Sequence, residues 1–246
     1  MRADQLVRCL TQTTRVPAGP APLRIANGTL EAMKWLALVL MTLDHVNTYL
    51  LGLSMPVLFT LGRIAMPLFV FVLAVNLARP GALAGGVLRR TTQRLARYGT
   101  LASLPYIALG HVYGHWWPLN ILFTLLIATI VIGLLAHGGQ RQSTAAVAVF
   151  VLGGSVVEYW WFALGLAIAC WCYCQRPTVA RLTVLGGAMA LLWFVNGNFW
   201  ALAALPLILV APYVKLSLPR LSCFFYIYYP GHLVILVMLQ ISVPIP

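Results

Sequence analysis

Acidic side chains are almost missing from this chain. Four Asp and Glu residues stand against sixteen Lys and Arg in 246 residues, and charged residues of either sign make up only 8%. A soluble domain carries about a quarter charged residues, so a soluble fold is excluded. Residues 1–30 hold no apolar run of the kind a cleavable signal peptide needs, which predicts a polar cytoplasmic tail, largely disordered up to about Ala26. No P-loop, GxSxG or dinucleotide-binding glycine pattern occurs, which removes the common nucleotide-hydrolysing, serine-hydrolase and Rossmann readings. Cysteine is sparse. Cys170, Cys172 and Cys174 cluster at the end of an apolar run and read as reduced, apolar-tolerant thiols, and no metal is expected. His111 and His115 have helical metal spacing, but no carboxylate accompanies them, so they read as loop residues.

What remains is 61% hydrophobic, with a mean hydropathy of +0.90. A spanning helix takes about 20 apolar residues. The pattern predicts an all-α, polytopic transmembrane bundle, residues 31–246 forming one domain of about nine spans. These fall near 32–51, 57–78, 94–110, 118–136, 143–158, 159–175, 182–197, 198–214 and 222–242. The net charge of +12 does not indicate nucleic acid. With a cytoplasmic N-terminus, every basic residue except Arg63 falls on the cytoplasmic side, as the positive-inside rule requires. The expected location is a bacterial inner membrane.

Two of the few ionisable groups stand where they are costly. Asp44 and His45 lie inside the first apolar run, where an Asp costs about 2.5–3.5 kcal/mol on insertion scales. Such residues are candidates for proton chemistry. Neighbours on a helix point about 100° apart, so each needs a partner elsewhere. Arg63, at the outer end of the second run, is the expected partner of Asp44. The ninth run carries Tyr226, Tyr229 and His232 at intervals of three, a polar stripe. An interfacial aromatic belt accounts for the tyrosines but not for His232. His45 and His232 are each about ten residues from the cytoplasmic end of their runs, so a common depth is expected. Asn120 opens the fourth run, placed either to orient a carbonyl or to bond a neighbouring helix. Arg89, Arg90, Arg94 and Arg97 read either as topology and lipid contacts or as a clamp for a phosphorylated ligand such as coenzyme A.

At these residues the sequence resembles the TraX family, the membrane acetylases of conjugative F-type pilin, including its TrbP-type members. Five blocks carry the resemblance, in order: Met33 to His45, Gly62 to Phe71, Arg94 to Tyr106, Leu119 to Leu125 and Phe225 to Leu233. The chain departs from the family pattern at Met66, at Glu158 and in residues 1–30. The resemblance implies acetyl transfer from acetyl-CoA to the N-terminal amine of a processed pilin held in the membrane. On that reading Asp44, His45, Arg63, Tyr229 and His232 are the candidate catalytic residues. Either histidine serves as base, with Asp44 orienting one of them. Arg89, Arg90, Arg94, Arg97, Asn120 and Tyr226 are the candidate binding residues. The rival readings are another pilin-maturing acyl transfer (cyclisation included), a lipid or glycan O-acyltransferase, a non-enzymatic pilin chaperone, and a proton-coupled transporter.

Overall fold

The computed structural model describes residues 21–242, apart from 83, 111, 115 and 222. His111, His115 and residues 1–20 of the expected tail lie outside the described residues. Among them the fold is all-helical, with only isolated bridges of extended chain. The helices are α1 Asn27–Tyr49, α2 Pro56–Gly62, α3 Ala65–Ala78, α4 Val87–Ala108, α5 Ile121–His137 and α6 Gln140–Gly154. They continue with α7 Trp160–Gln175, α8 Val179–Leu191, α9 Trp193–Asn196, a 3₁₀ turn Trp200–Ala203, α10 Ala204–Val210 and α11 Phe224–Ser242.

Each expected span coincides with a helix or a consecutive helical pair. The expectation of nine full spans is nevertheless too simple. Three helical segments are long and apolar enough to cross a membrane by length and composition: Pro56–Ala78, Val179–Asn196 and Phe224–Ser242. Ile121–His137, Trp160–Gln175 and Trp200–Val210 are apolar but shorter. The 198–214 run holds only a short helical stretch, Trp200–Val210, which opens as a 3₁₀ turn. Hydropathy averages apolar content and cannot see that turn.

The core is built on α3 and α7. Both are apolar around their whole circumference, the pattern of a helix enclosed by others. Leu68, Val70 and Phe71 of α3 and Leu164, Leu166 and Cys170 of α7 are almost fully buried. Ala74, Ala163 and Ala167 are buried among them. Lipid is as apolar as Leu, so close packing through small residues carries such contacts. Large apolar side chains cover the outside, among them Leu104, Leu152, Val179 and Ile241. That surface suits a lipid environment.

Two local features position the site. First, α2 and α3 are separated at Arg63 and Ile64, whose amides make short-range bonds to Thr60 and Leu61. Pro67 lies four residues beyond Arg63, so it has no N–H for the Arg63 carbonyl and its ring crowds that carbonyl. Second, the segment before α11 crosses the first turn of α1. Thr29 Oγ1 donates to the Val214 carbonyl at 2.6 Å and accepts from the Leu216 amide at 3.3 Å. A Cβ at Gly28 would overlap the Leu216 carbonyl and come within 2.5 Å of the Leu218 nitrogen. The crossing requires Gly28. Gly28→Ala therefore costs about 1–3 kcal/mol by overpacking and lowers the Tm of the detergent-purified protein. Gly186→Ala, on an open face, does not lower it.

The chain from Ala21 to Ala26 is non-helical. It is not a free tail: the Leu23 amide donates to the Cys174 carbonyl at 2.8 Å, and Ile25 is buried. This corrects the expectation of disorder up to Ala26 for these residues.

Candidate active site

One cavity of about 230 Å³ runs between α1, α3, α4, α5, α11 and the turn before α7. Its wall on α1 is made by Lys34, Leu38, Met41, Asp44 and His45. All but Asp44 recur at intervals of four, three and four, so they share one helix face. The eleven residues from Lys34 to His45 correspond to about 16 Å of helix.

One end of the cavity is basic, with Lys34, Arg94 and Arg220 in its wall beside Phe225 and Tyr226. Lys34 Nζ donates to Glu31 Oε1 at 2.7 Å and lies 4.2 Å from the centre of the Phe225 ring. The Arg94 guanidinium is 5.9 Å from the centre of Tyr226, and Tyr226 stacks on Tyr98. Of the four arginines expected to form a clamp, only Arg94 lines the cavity. Arg89, Arg90 and Arg97 are exposed elsewhere on α4, and Arg90 donates to the Gly85 carbonyl. Lys34 and Arg220 take the places expected for them.

The other end gathers the ionisable groups. Asp44 and Arg63 form the expected ion pair, with Arg63 Nη2 donating to Asp44 Oδ2. Arg63 Nε also donates to the Phe59 carbonyl at 3.2 Å, and its guanidinium lies 4.3 Å from the Phe59 ring centre. The pair holds α1 against the α2–α3 junction. A side chain at Gly62 would overlap the Asp44 carboxyl group, so glycine is required there. Among the described residues Asp44 bonds neither histidine; Oδ2 is taken by Arg63 and Oδ1 has no hydrogen-bond partner. The expectation that Asp44 orients a histidine is thus corrected, because its carboxylate points along the neighbouring face of α1.

The histidines orient each other instead. His45 Nδ1 is 2.8 Å from His232 Nε2, and the rings are stacked with centroids 5.1 Å apart. His232 Nδ1 is 3.1 Å from the Tyr228 carbonyl. A carbonyl only accepts. His232 Nδ1 therefore carries the hydrogen, and its Nε2 offers a lone pair. His45 Nδ1 must then donate, which leaves the lone pair of neutral His45 on Nε2. His45 lines the cavity and His232 does not. This chain of bonds leaves an unshared lone pair on His45 Nε2 and none on neutral His232.

The stripe on α11 differs from expectation in one residue. Tyr229 meets His232 edge-on at 5.3 Å and lines the cavity, as expected. Tyr226 belongs to the basic end. Tyr228, one turn before His232, stacks on it at 5.2 Å and its hydroxyl is 2.8 Å from Thr42 Oγ1. Thr42 Oγ1 donates to the Leu38 carbonyl at 2.8 Å, so the tyrosine hydroxyl supplies the hydrogen between them.

Asn120 is a structural residue, contrary to its place among the binding candidates. It is buried and caps α5, its side-chain oxygen accepting from the Leu122 amide at 3.1 Å. Its amide donates to the Gly99 carbonyl at 3.0 Å and Ser103 Oγ at 3.3 Å. It has no group left for a ligand and is absent from the cavity wall. Glu158, by contrast, lines the cavity, held by a bridge in which its amide donates to the Leu119 carbonyl at 3.0 Å. Among the described residues, no group of three or more His, Cys, Asp or Glu is arranged to hold a metal.

The family model described as TraX protein matches residues 29–240, a range that contains the whole cavity wall. The chain belongs to the TraX family. It is 29% identical over 221 residues to a Protein TraX from Escherichia coli, covering 85% of this chain and 86% of that relative. A Protein TraX from Escherichia coli strain K12 is 27% identical over 172 residues, covering 69% of this chain and 66% of the relative. No solved structure matches the chain.

Proposed function

We propose that this TraX-family protein is an inner-membrane acetyltransferase that moves the acetyl group of acetyl-CoA to the N-terminal amine of a processed conjugative pilin. One observation carries the reading. A single cavity joins a cluster of three cations, Lys34, Arg94 and Arg220, to a histidine whose base nitrogen is set by a second histidine. Phosphates favour clustered cations and forked arginines. The basic end therefore suits the phosphates of the donor, and the length of α1 between Lys34 and His45 suits an extended arm with a thioester at its tip.

At that tip the neutral amine attacks the thioester carbonyl carbon. The C–N bond forms as the C–S bond breaks. His45 Nε2 takes a proton from the attacking nitrogen and returns it to the departing sulfur, so coenzyme A leaves as the thiol. Tyr229, in the wall at this end, offers an O–H to the developing oxyanion. Asp44 and Arg63 keep α1 and the α2–α3 junction in register. Arg63 is absent from the cavity wall, so the oxyanion role falls to Tyr229.

The test is transfer of label from radioactive acetyl-CoA to processed pilin by the purified protein in lipid vesicles. Label at the pilin N-terminus that requires the protein supports the reading; no transfer overturns it. Arg94→Ala and Arg220→Ala are each expected to raise the acetyl-CoA KM roughly 10-fold, the value of one charge-assisted hydrogen bond. Arg97→Ala is expected to leave it unchanged.

A further inference from the structure

The two ends of the cavity differ in charge, and the end remote from the cations has one carboxylate left over. Asp44 is neutralised by Arg63. Glu158 lines the same end, and among the described residues no cation lies within ion-pairing distance of it. Arg63 acts on it through space only, its guanidinium being bonded to Asp44. The Tyr106 hydroxyl and the Ile121 amide face its carboxylate. Its backbone is pinned by the Leu119 bridge, and Thr124 Oγ1 donates to its carbonyl at 2.8 Å. An unpaired carboxylate in an apolar setting is costly unless a charge comes to it. Here the charge has room to come, through the cavity.

We infer that Glu158 is the docking group for the acceptor, pairing with its amine in the protonated form. The assignment rests on the acyl-transfer reading only for the fate of that amine. An α-ammonium, with a pKa near 8, pairs with the carboxylate. Its first proton passes to Glu158, giving a carboxylic acid and a neutral amine beside His45. The nitrogen's second proton passes to His45 during attack, as above. A hydroxyl acceptor carries no cation and gains nothing from this carboxylate, so the inference separates an N-acyltransferase from an O-acyltransferase.

The experiment measures binding, not turnover. The full-length protein in detergent is titrated with an apolar hexapeptide amide bearing a free α-amine, and with the same peptide N-acetylated. Wild type is expected to bind the free amine about 10-fold or more tightly than the acetylated peptide, the value of a charge-assisted contact. Glu158→Gln is expected to bind both alike, at the acetylated peptide's affinity, and Glu158→Asp to regain part of the preference. A purely structural Glu158 would instead weaken both peptides together in Glu158→Gln, which overturns the assignment. It is equally overturned if wild type shows no preference, or if Glu158→Gln keeps it. An amine preference lost in Glu158→Gln, from a protein that transfers no acetyl group, sustains the amine site while refuting the acetylase reading.

Discussion

His45→Ala is expected to lower kcat for acetyl transfer by about 10²–10⁴-fold, the range for loss of a general base, with little change in Tm. The reason is the direction of the hydrogen bonds. The Tyr228 carbonyl fixes the hydrogen on His232 Nδ1, His232 Nε2 accepts from His45 Nδ1, and His45 Nε2 is left as the base. His232→Ala removes only the partner of His45. Its expected loss is smaller, about 10-fold for one hydrogen bond, and the ring of His45 becomes free to turn. His232→Gln offers a carbonyl oxygen near the position of Nε2 and is expected to recover most of that loss. His45→Gln offers no base and recovers nothing. Single-turnover rates with saturating acetyl-CoA measure these differences. Equal losses from the two alanine variants, or a greater loss from His232→Ala, would reverse the assignment.

Arg63→Leu is expected to destabilise the protein by about 3–5 kcal/mol, because it leaves Asp44 charged and buried without its partner. The double variant Asp44→Asn with Arg63→Leu is expected to recover much of that stability, since neither charge then remains. Gly62→Ala acts on the same pair from the other side, by pushing the Asp44 carboxyl group away from Arg63. Unfolding of wild type, Arg63→Leu, Asp44→Asn and the double variant in mixed micelles gives the coupling directly. Additive losses from the two single substitutions would show that the pair does not act as a unit. Asp44 then belongs to the fold, and its effect on catalysis is indirect.

Much of the site was legible because depth in a membrane helix can be counted. Counting rise from the cytoplasmic ends places His45 and His232 at a common depth, and the structure brings them into contact. Counting also puts Arg63 opposite Asp44. The basic end is legible in principle. Lys34 and His45 are eleven residues apart, close to three whole turns, so they share a face, whereas the positive-inside rule reads Lys34 only as a cytoplasmic cation. Tyr228 lies four residues before His232, the spacing of helical neighbours, but the interval of three drew attention to Tyr226. Asn120 precedes an apolar run, the position of a helix cap, which explains its saturated side chain better than a ligand does. Two features had no local signal. Arg220 reaches the cavity because a non-helical segment crosses α1 at Gly28, and Glu158 because a bridge from Leu119 turns it inward. Both depend on residues far apart in the chain, which no spacing rule connects.

On this mechanism His45, at the end of a cavity that begins with cations, is the base for acetylation of pilin. The most direct measurement is the intact mass of the cognate mature pilin from three strains: one with the wild-type gene, one without it, and one carrying His45→Ala. An acetyl increment is expected with the wild-type gene alone. An increment that persists with His45→Ala, or a pilin mass identical in all three strains, would contradict it.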